Sequence, residues 1–158
     1  MVQRIAVGLD VHARSVIGHG IDQVTGEVFT KTMGCDPAGI LGWVAGLPGP
    51  ATVAYEAGPT GYGLARRARA EGIEIGVCAP SKTERPPADR IKTDKRDAIR
   101  LARLLAAGEL TLVTIPSVER EQLRDLVRCR EDIRLDLMRA RPDREVLVAP
   151  RDLLGRTW

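Results

Sequence analysis

Two aspartates, Asp94 and Asp97, stand three residues apart in "RIKTDKRDAIRLARLLAAG" (90–108), a stretch otherwise crowded with Lys92, Lys95, Arg96 and Arg100. The stretch predicts a helix over 93–107, and residues three apart share one helix face. The free N–H groups of a first helical turn favour negative charge. That is reason enough for one carboxylate, but not for a pair set inside a basic run. Two further acids, Asp10 in "GLDVH" and Glu56 in "YEAGP", end short apolar runs. Singly, Asp10 suits a strand-end turn and Glu56 a solvent-facing position. Together, four carboxylates repel unless cations are bound among them. Carboxylate oxygens suit Mg²⁺, which keeps room for phosphate. Two such ions about 4 Å apart stabilise the attacking and leaving oxygens of a phosphodiester displacement. Lys82, Arg85, Arg90, Lys92, Lys95 and Arg96 then read as contacts to a polyanion backbone, with a solvated helix face as the plainer alternative.

The elements that must position these residues follow from the apolar pattern. "RIAVGLD" (4–10) is rich in Ile and Val and reads as a buried strand. "SVIGHGID" (15–22) and "GEVFTKTM" (26–33) follow as antiparallel strands, with Thr25-Gly26 suited to a tight hairpin. Ile40, Leu41, Val44 and Leu47 have helical spacing, and Pro48 and Pro50 stop that helix. "ATVAYEA" (51–57), "TGYGLARRARAEG" (60–72) and "IEIGVCA" (73–79) make a βαβ unit, whose strands are expected to be parallel. "PSKTERPPADRIKT" (80–93) is polar and proline-bearing, and reads as a mobile loop.

The order β-β-β-α-β-α-β-loop-α is that of a ribonuclease H-like domain, a five-stranded mixed sheet flanked by helices. In such a sheet the strands ending in Asp10 and Glu56 lie side by side and parallel. Both acids then emerge at the carboxyl edge, where open α/β sheets place their sites. The helix from about Asp94 packs beside the first strand with its amino end at that edge, which completes the group of four.

From Ser117 the pattern changes. Ser117 is a helix cap, and Glu119 and Glu121 put negative charge in the first turn. Leu123, Leu126, Val127, Ile133, Leu137 and Met138 form a narrow apolar stripe, interrupted by Arg130, on a heavily charged helix over 117–141. A seam this narrow suits pairing with another helix. At Pro142 the helical pattern ends, and 142–158 fits neither a core helix nor a clean strand. The predicted organisation is therefore a domain over 1–116, a coiled-coil helix over 117–141 and an aberrant or poorly ordered tail over 142–158.

Composition narrows the class. The chain has 158 residues, enough for one domain with a core and an appendage, and 44% are apolar. No apolar run approaches the roughly 20 residues of a bilayer span. "MVQRIAVGLDVH" reaches Asp10 too early for a signal-peptide apolar region. A cytoplasmic chain without a membrane partner is expected. Cys35, Cys78 and Cys129 form no CxxC pair, and His12 and His19 are the only histidines, which argues against zinc. Each cysteine reads as a small buried hydrophobe. Net charge is +3, too mild by itself to imply a nucleic-acid partner, so the clustering of the basic residues matters more.

"GLDVH" (8–12), "YEAGPTGYGLAR" (55–66), "PSKTERPPADRIKTDKRDAIRLARLL" (80–105) and "LRDLVRCREDIRLDLMRAR" (123–141) resemble the amino-terminal half of insertion-sequence-110 transposases, also called DEDD transposases and related to the Piv invertase. The resemblance covers nearly all of 4–141. It implies a RuvC-like domain whose four acids, matching Asp10, Glu56, Asp94 and Asp97, bind Mg²⁺, with Mn²⁺ as a substitute. It also implies DNA as substrate, DNA transposition as function, and a structured guide RNA encoded by the element as partner. The family's second domain carries a serine needed for strand exchange. Nothing after Pro142 resembles that domain, and none of Ser15, Ser81 and Ser117 matches its serine, so a truncated copy is implied. Homo-oligomerisation through the 117–141 helix is expected.

Other classes remain open to different degrees. An actin-like ATPase or sugar kinase needs a glycine just after the strand-end acid, where this chain has Val11 and His12. A catalytically silent nucleic-acid-binding or dimerisation fragment would retain all four acids unused. A RuvC-like junction nuclease acting without RNA would have the same acids, and only the 80–93 loop and the coiled coil argue against it.

Overall fold

A computed structural model of the chain describes residues 4–58, 61–79 and 94–141, with Asp94 described in its backbone alone. The elements are β1 (Ile5–Val11), β2 (Val16–Asp22), β3 (Val28–Met33), α1 (Pro37–Ala45), β4 (Ala51–Glu56), α2 (Gly63–Ala70), β5 (Glu74–Cys78), α3 (Asp94–Ala107), β6 (Leu112–Val113) and α4 (Val118–Ala140). One mixed sheet runs in the order β3-β2-β1-β4-β5-β6. β1, β2 and β3 are joined antiparallel, β1 lies parallel to β4 and β4 parallel to β5, and β6 returns antiparallel along β5.

The expected five-stranded sheet is thus corrected to six. The additional strand pairs only Val77 with Val113 and Cys78 with Leu112. A two-residue strand is too short for a period-two pattern to register, so "LTLVTIP" reads as a connection. The cysteines also need correcting: Cys78 is buried, but Cys35 and Cys129 are exposed. Among the described residues, no helix is long and apolar enough to cross a membrane.

The hairpin between β2 and β3 turns as Thr25-Gly26 predicts, with Gly26 at φ +74°. Asp22 organises it. Its carboxylate accepts the N–H groups of Val24 at 2.9 Å and Thr25 at 3.2 Å, and the Arg4 guanidinium donates to it at 2.8 Å. The bond from Arg4, followed by those two backbone bonds, holds the Asp22 carboxyl far below the usual carboxylate range.

The two faces of the sheet are built differently. On one side Ile5, Val7 and Leu9 of β1, with Val53, Tyr55, Ile75 and Val77, pack against Ile40, Leu41 and Val44 of α1 and against Ala65 and Ala68 of α2. These are large side chains, and burying each stabilises the fold by roughly 1.5–3 kcal/mol. Strand alternation puts Ala6, Gly8 and Ala54 on the other side, where the buried residues of α3 are Ala98, Leu101 and Ala102. Here the helix backbone comes against the strand. A Cβ added at Gly8 would fall onto the Ala98 carbonyl oxygen, 2.5 Å from the Ala102 amide nitrogen and 2.8 Å from Leu101 Cβ.

The chain divides into two compact units between Ile115 and Pro116. In the second unit Ser117 caps α4 by accepting the Arg120 N–H, Glu119 and Glu121 lie in the first turn, and no residue of α4 is buried.

The contrast between glycines gives a direct test. Gly8→Ala must displace helix backbone and is expected to lower unfolding free energy by about 1–3 kcal/mol, as overpacking does. Gly42→Ala lies on the exposed side of α1 with nothing within 4 Å. It is expected to raise stability by up to about 1 kcal/mol through helix propensity. Urea titration of both variants measures this; equal effects would contradict the close approach of α3 to β1.

Candidate functional site: the carboxyl edge of the parallel strands

The last couple in the β1–β4 ladder is Leu9 with Tyr55. The residue that follows in each strand is an acid, Asp10 in β1 and Glu56 in β4. Parallel strands in register therefore bring both carboxylates to the same edge. Alternation adds the face: Asp10 follows Gly8 by two, Glu56 follows Ala54 by two, and Gly8 and Ala54 are themselves a pair. Both acids thus belong to the side of the sheet that α3 covers. Their neighbour on β5 is Cys78, which pairs with Glu56 and donates its thiol hydrogen to the Tyr55 carbonyl at 3.3 Å.

On α3 the buried positions are 98, 101 and 102. Position 97 is one turn before 101, so Asp97 extends the helix's sheet-facing stripe toward its amino end. Asp97 is half-buried there, whereas Lys95 and Arg96 are exposed. Only the backbone of Asp94 is described. Lys82, Arg85, Arg90 and Lys92 lie outside the described residues, as does the whole loop over 80–93 read as mobile. Among the described residues, no three of His, Cys, Asp and Glu stand close enough together to hold a metal ion. The structure therefore unites Asp10 and Glu56 at one strand edge and puts Asp97 on the helix over that face, without closing them into a cage.

Two histidines that residue type alone did not mark belong to this region. His12 Nε2 is 2.9 Å from Asp10 Oδ2, with the Asp10 side chain 15% exposed and that of His12 40% exposed. The available signal was a histidine two residues after the strand-end acid, one residue past the end of β1. His19 pairs with Gly8 across the β1–β2 ladder and is buried, with Nδ1 2.8 Å from Thr30 Oγ1. Burial, then the positive charges of Arg103 and Lys95, push its pKa below the ordinary histidine value. A neutral ring under α3 follows, so His19 adds no positive charge near the acids.

Set beside known proteins, residues 7–143 match the family model of DEDD-type IS110 transposases, described as a transposase. The chain belongs to the IS110 transposase family. Among curated relatives, the putative transposase y4qE of Sinorhizobium fredii is 62% identical over 76 residues, which are 48% of this chain and 20% of the relative. The transposase for insertion sequence element IS1533 of Leptospira borgpetersenii is 47% identical over 88 residues, 55% of this chain and 25% of the relative. The chain thus spans about a fifth to a quarter of these curated relatives' length. The family match takes in Asp10, Glu56, Asp94 and Asp97 together with all of α4.

Proposed function

We propose that this chain supplies the metal-binding, nucleic-acid-facing part of an insertion-sequence transposase acting on DNA in the cytoplasm. Its first 116 residues form a ribonuclease H-like, RuvC-like domain in this reading. Asp10, Glu56, Asp94 and Asp97 hold two Mg²⁺ ions, with Mn²⁺ as substitute. The observation that carries the reading is the placement of Asp10 and Glu56 directly after the last paired couple of two parallel strands, on the face covered by α3. All four donors are carboxylates, the hard-oxygen chemistry that Mg²⁺ favours, and divalent metals are general in this family of transposases. When bound, the ions would supply charge stabilisation to the attacking and leaving oxygens of a phosphodiester. The protein's part is to fix carboxylate oxygens on two adjacent strands and one helix, and to keep a neutral His19 beneath them.

The second reading is a catalytically silent nucleic-acid-binding fragment. What favours it is that the described residues close no three-ligand group. Mn²⁺ titration by calorimetry separates the two. Binding that Asp10→Ala together with Asp94→Ala abolishes is the expected result; binding unchanged in the double variant would remove the four-acid assignment.

Lys82, Arg85, Arg90, Lys92, Lys95 and Arg96 contact phosphates of the DNA, and of the element's structured RNA, in this reading. Lys95 and Arg96 are exposed on α3, as such contacts require. Phosphate contacts carry charge but no base information. Alanine at these six positions is expected to weaken binding about equally across sequences and to flatten the slope of log affinity against log salt. A loss confined to one sequence would point to base reading instead.

The helix α4 pairs with α4 of a second copy, the coiled coil over 117–141. Leu123, Leu126, Val127, Ile133 and Leu137 are 53–69% exposed, although an isolated helix of this kind depends on burying its apolar stripe. Arg130 on the seam lowers stability and sets register. Sedimentation equilibrium is expected to show a dimer at tens of micromolar, roughly the range of weak coiled coils, and a monomer for Leu126→Glu, Ile133→Glu. A dimer that survives both substitutions would put the interface elsewhere.

A further inference from the structure

The short turn between β1 and β2 is unusually well anchored at His12. The His12 N–H donates to the Ser15 carbonyl at 3.0 Å, and the His12 carbonyl accepts the Cys35 thiol at 3.2 Å. Both backbone groups of one turn residue are thus engaged, one within the turn and one from the segment that precedes α1. The ring that this backbone carries reaches back to Asp10, two residues earlier, with Nε2 2.9 Å from Oδ2.

A carboxylate oxygen only accepts, so Nε2 carries the hydrogen and the ring donates. The bond is charge-assisted on the acceptor side and directional. Its contribution to folding stability is small, because the His12 side chain is 40% exposed and solvent screens such pairs. What it does change is the freedom of Asp10. A carboxylate at the open end of a strand has several rotamers, and a donor fixed in the adjoining turn selects one of them. His12 stands one residue past the end of β1, at the edge where Glu56 also emerges.

Resting on the metal-site reading above, we infer that His12 is a positioning residue: it donates from Nε2 to Asp10 Oδ2 and orients that carboxylate for a divalent cation shared with Glu56. His12 does not itself bond the cation. Groups that hydrogen-bond a metal ligand in this way alter affinity by about 10–100-fold when removed.

Electron paramagnetic resonance of Mn²⁺ titrated into the full chain tests the inference without requiring turnover. His12→Ala is expected to weaken Mn²⁺ binding by about 10-fold. His12→Gln, whose side-chain amide can put an N–H near the position of Nε2, is expected to recover most of that loss. Both variants should unfold at the wild-type midpoint in the absence of metal, which separates positioning from a structural role. The spin-echo modulation of bound Mn²⁺ should show no directly bonded ring nitrogen. Wild-type affinity in His12→Ala, with binding still lost in Asp10→Asn, would overturn the role of His12 and leave the carboxylate site standing. A directly bonded nitrogen would make His12 a ligand and overturn the positioning role. A wild-type chain that binds no Mn²⁺ would overturn both readings.

Discussion

The approach of the α3 backbone to β1 at Gly8 is the constraint on which the site depends. Helix and strand ordinarily stay apart by the thickness of two side-chain layers. Here the strand contributes no side chain at Gly8, and the facing residues are Ala98, Leu101 and Ala102. Any Cβ at position 8 collides with helix backbone, which cannot rotate away as a flexible side chain can. The apolar area gained on this face is small compared with the Ile, Val, Leu and Tyr layer opposite. The fold therefore rests energetically on the α1–α2 side, and α3 is held close by shape. That closeness puts α3 over the face of the sheet on which Asp10 and Glu56 stand.

The charges are arranged to tolerate it. Asp10 is partly covered and bonded by His12, whereas Lys95, Arg96 and Arg103 sit on the exposed side of α3. Interactions between exposed charges weaken over a Debye length of about 8 Å at physiological salt. His19 stays neutral because burial, then the positive charges of Arg103 and Lys95, lower its pKa.

Much of this was legible in the residues. Short apolar runs marked β1, β4 and β5, and Thr25-Gly26 marked a turn that needs a positive φ. Ser117 with Glu119 and Glu121 marked the start of α4. The adjacency of Asp10 and Glu56 followed from strand order, because parallel neighbours that end together carry their last residues to one edge. Other features were hidden for physical reasons. β6 owes its existence to pairing with β5, and two residues carry no periodicity. Cys35 and Cys129 are exposed because a cysteine's apolar character does not dictate burial when its neighbours are polar. The role of Gly8 could not be read locally, since a glycine in a strand marks close approach only once the approaching backbone is known. The bond from His12 to Asp10 was visible as spacing, but not as geometry.

The lightly held edge strand β3 gives the sheet a weak seam. Val28, Thr30, Lys31 and Thr32 are exposed, and only Phe29 and Met33 are partly buried, so separating β3 from β2 sacrifices little apolar contact. It does take the Thr30 hydroxyl away from His19. Local opening of this kind lies at the low end of a protein's internal stability range. Amide hydrogen exchange, corrected for its intrinsic rate, is therefore expected to show less protection along β3 than along β1, which has a paired neighbour on each side.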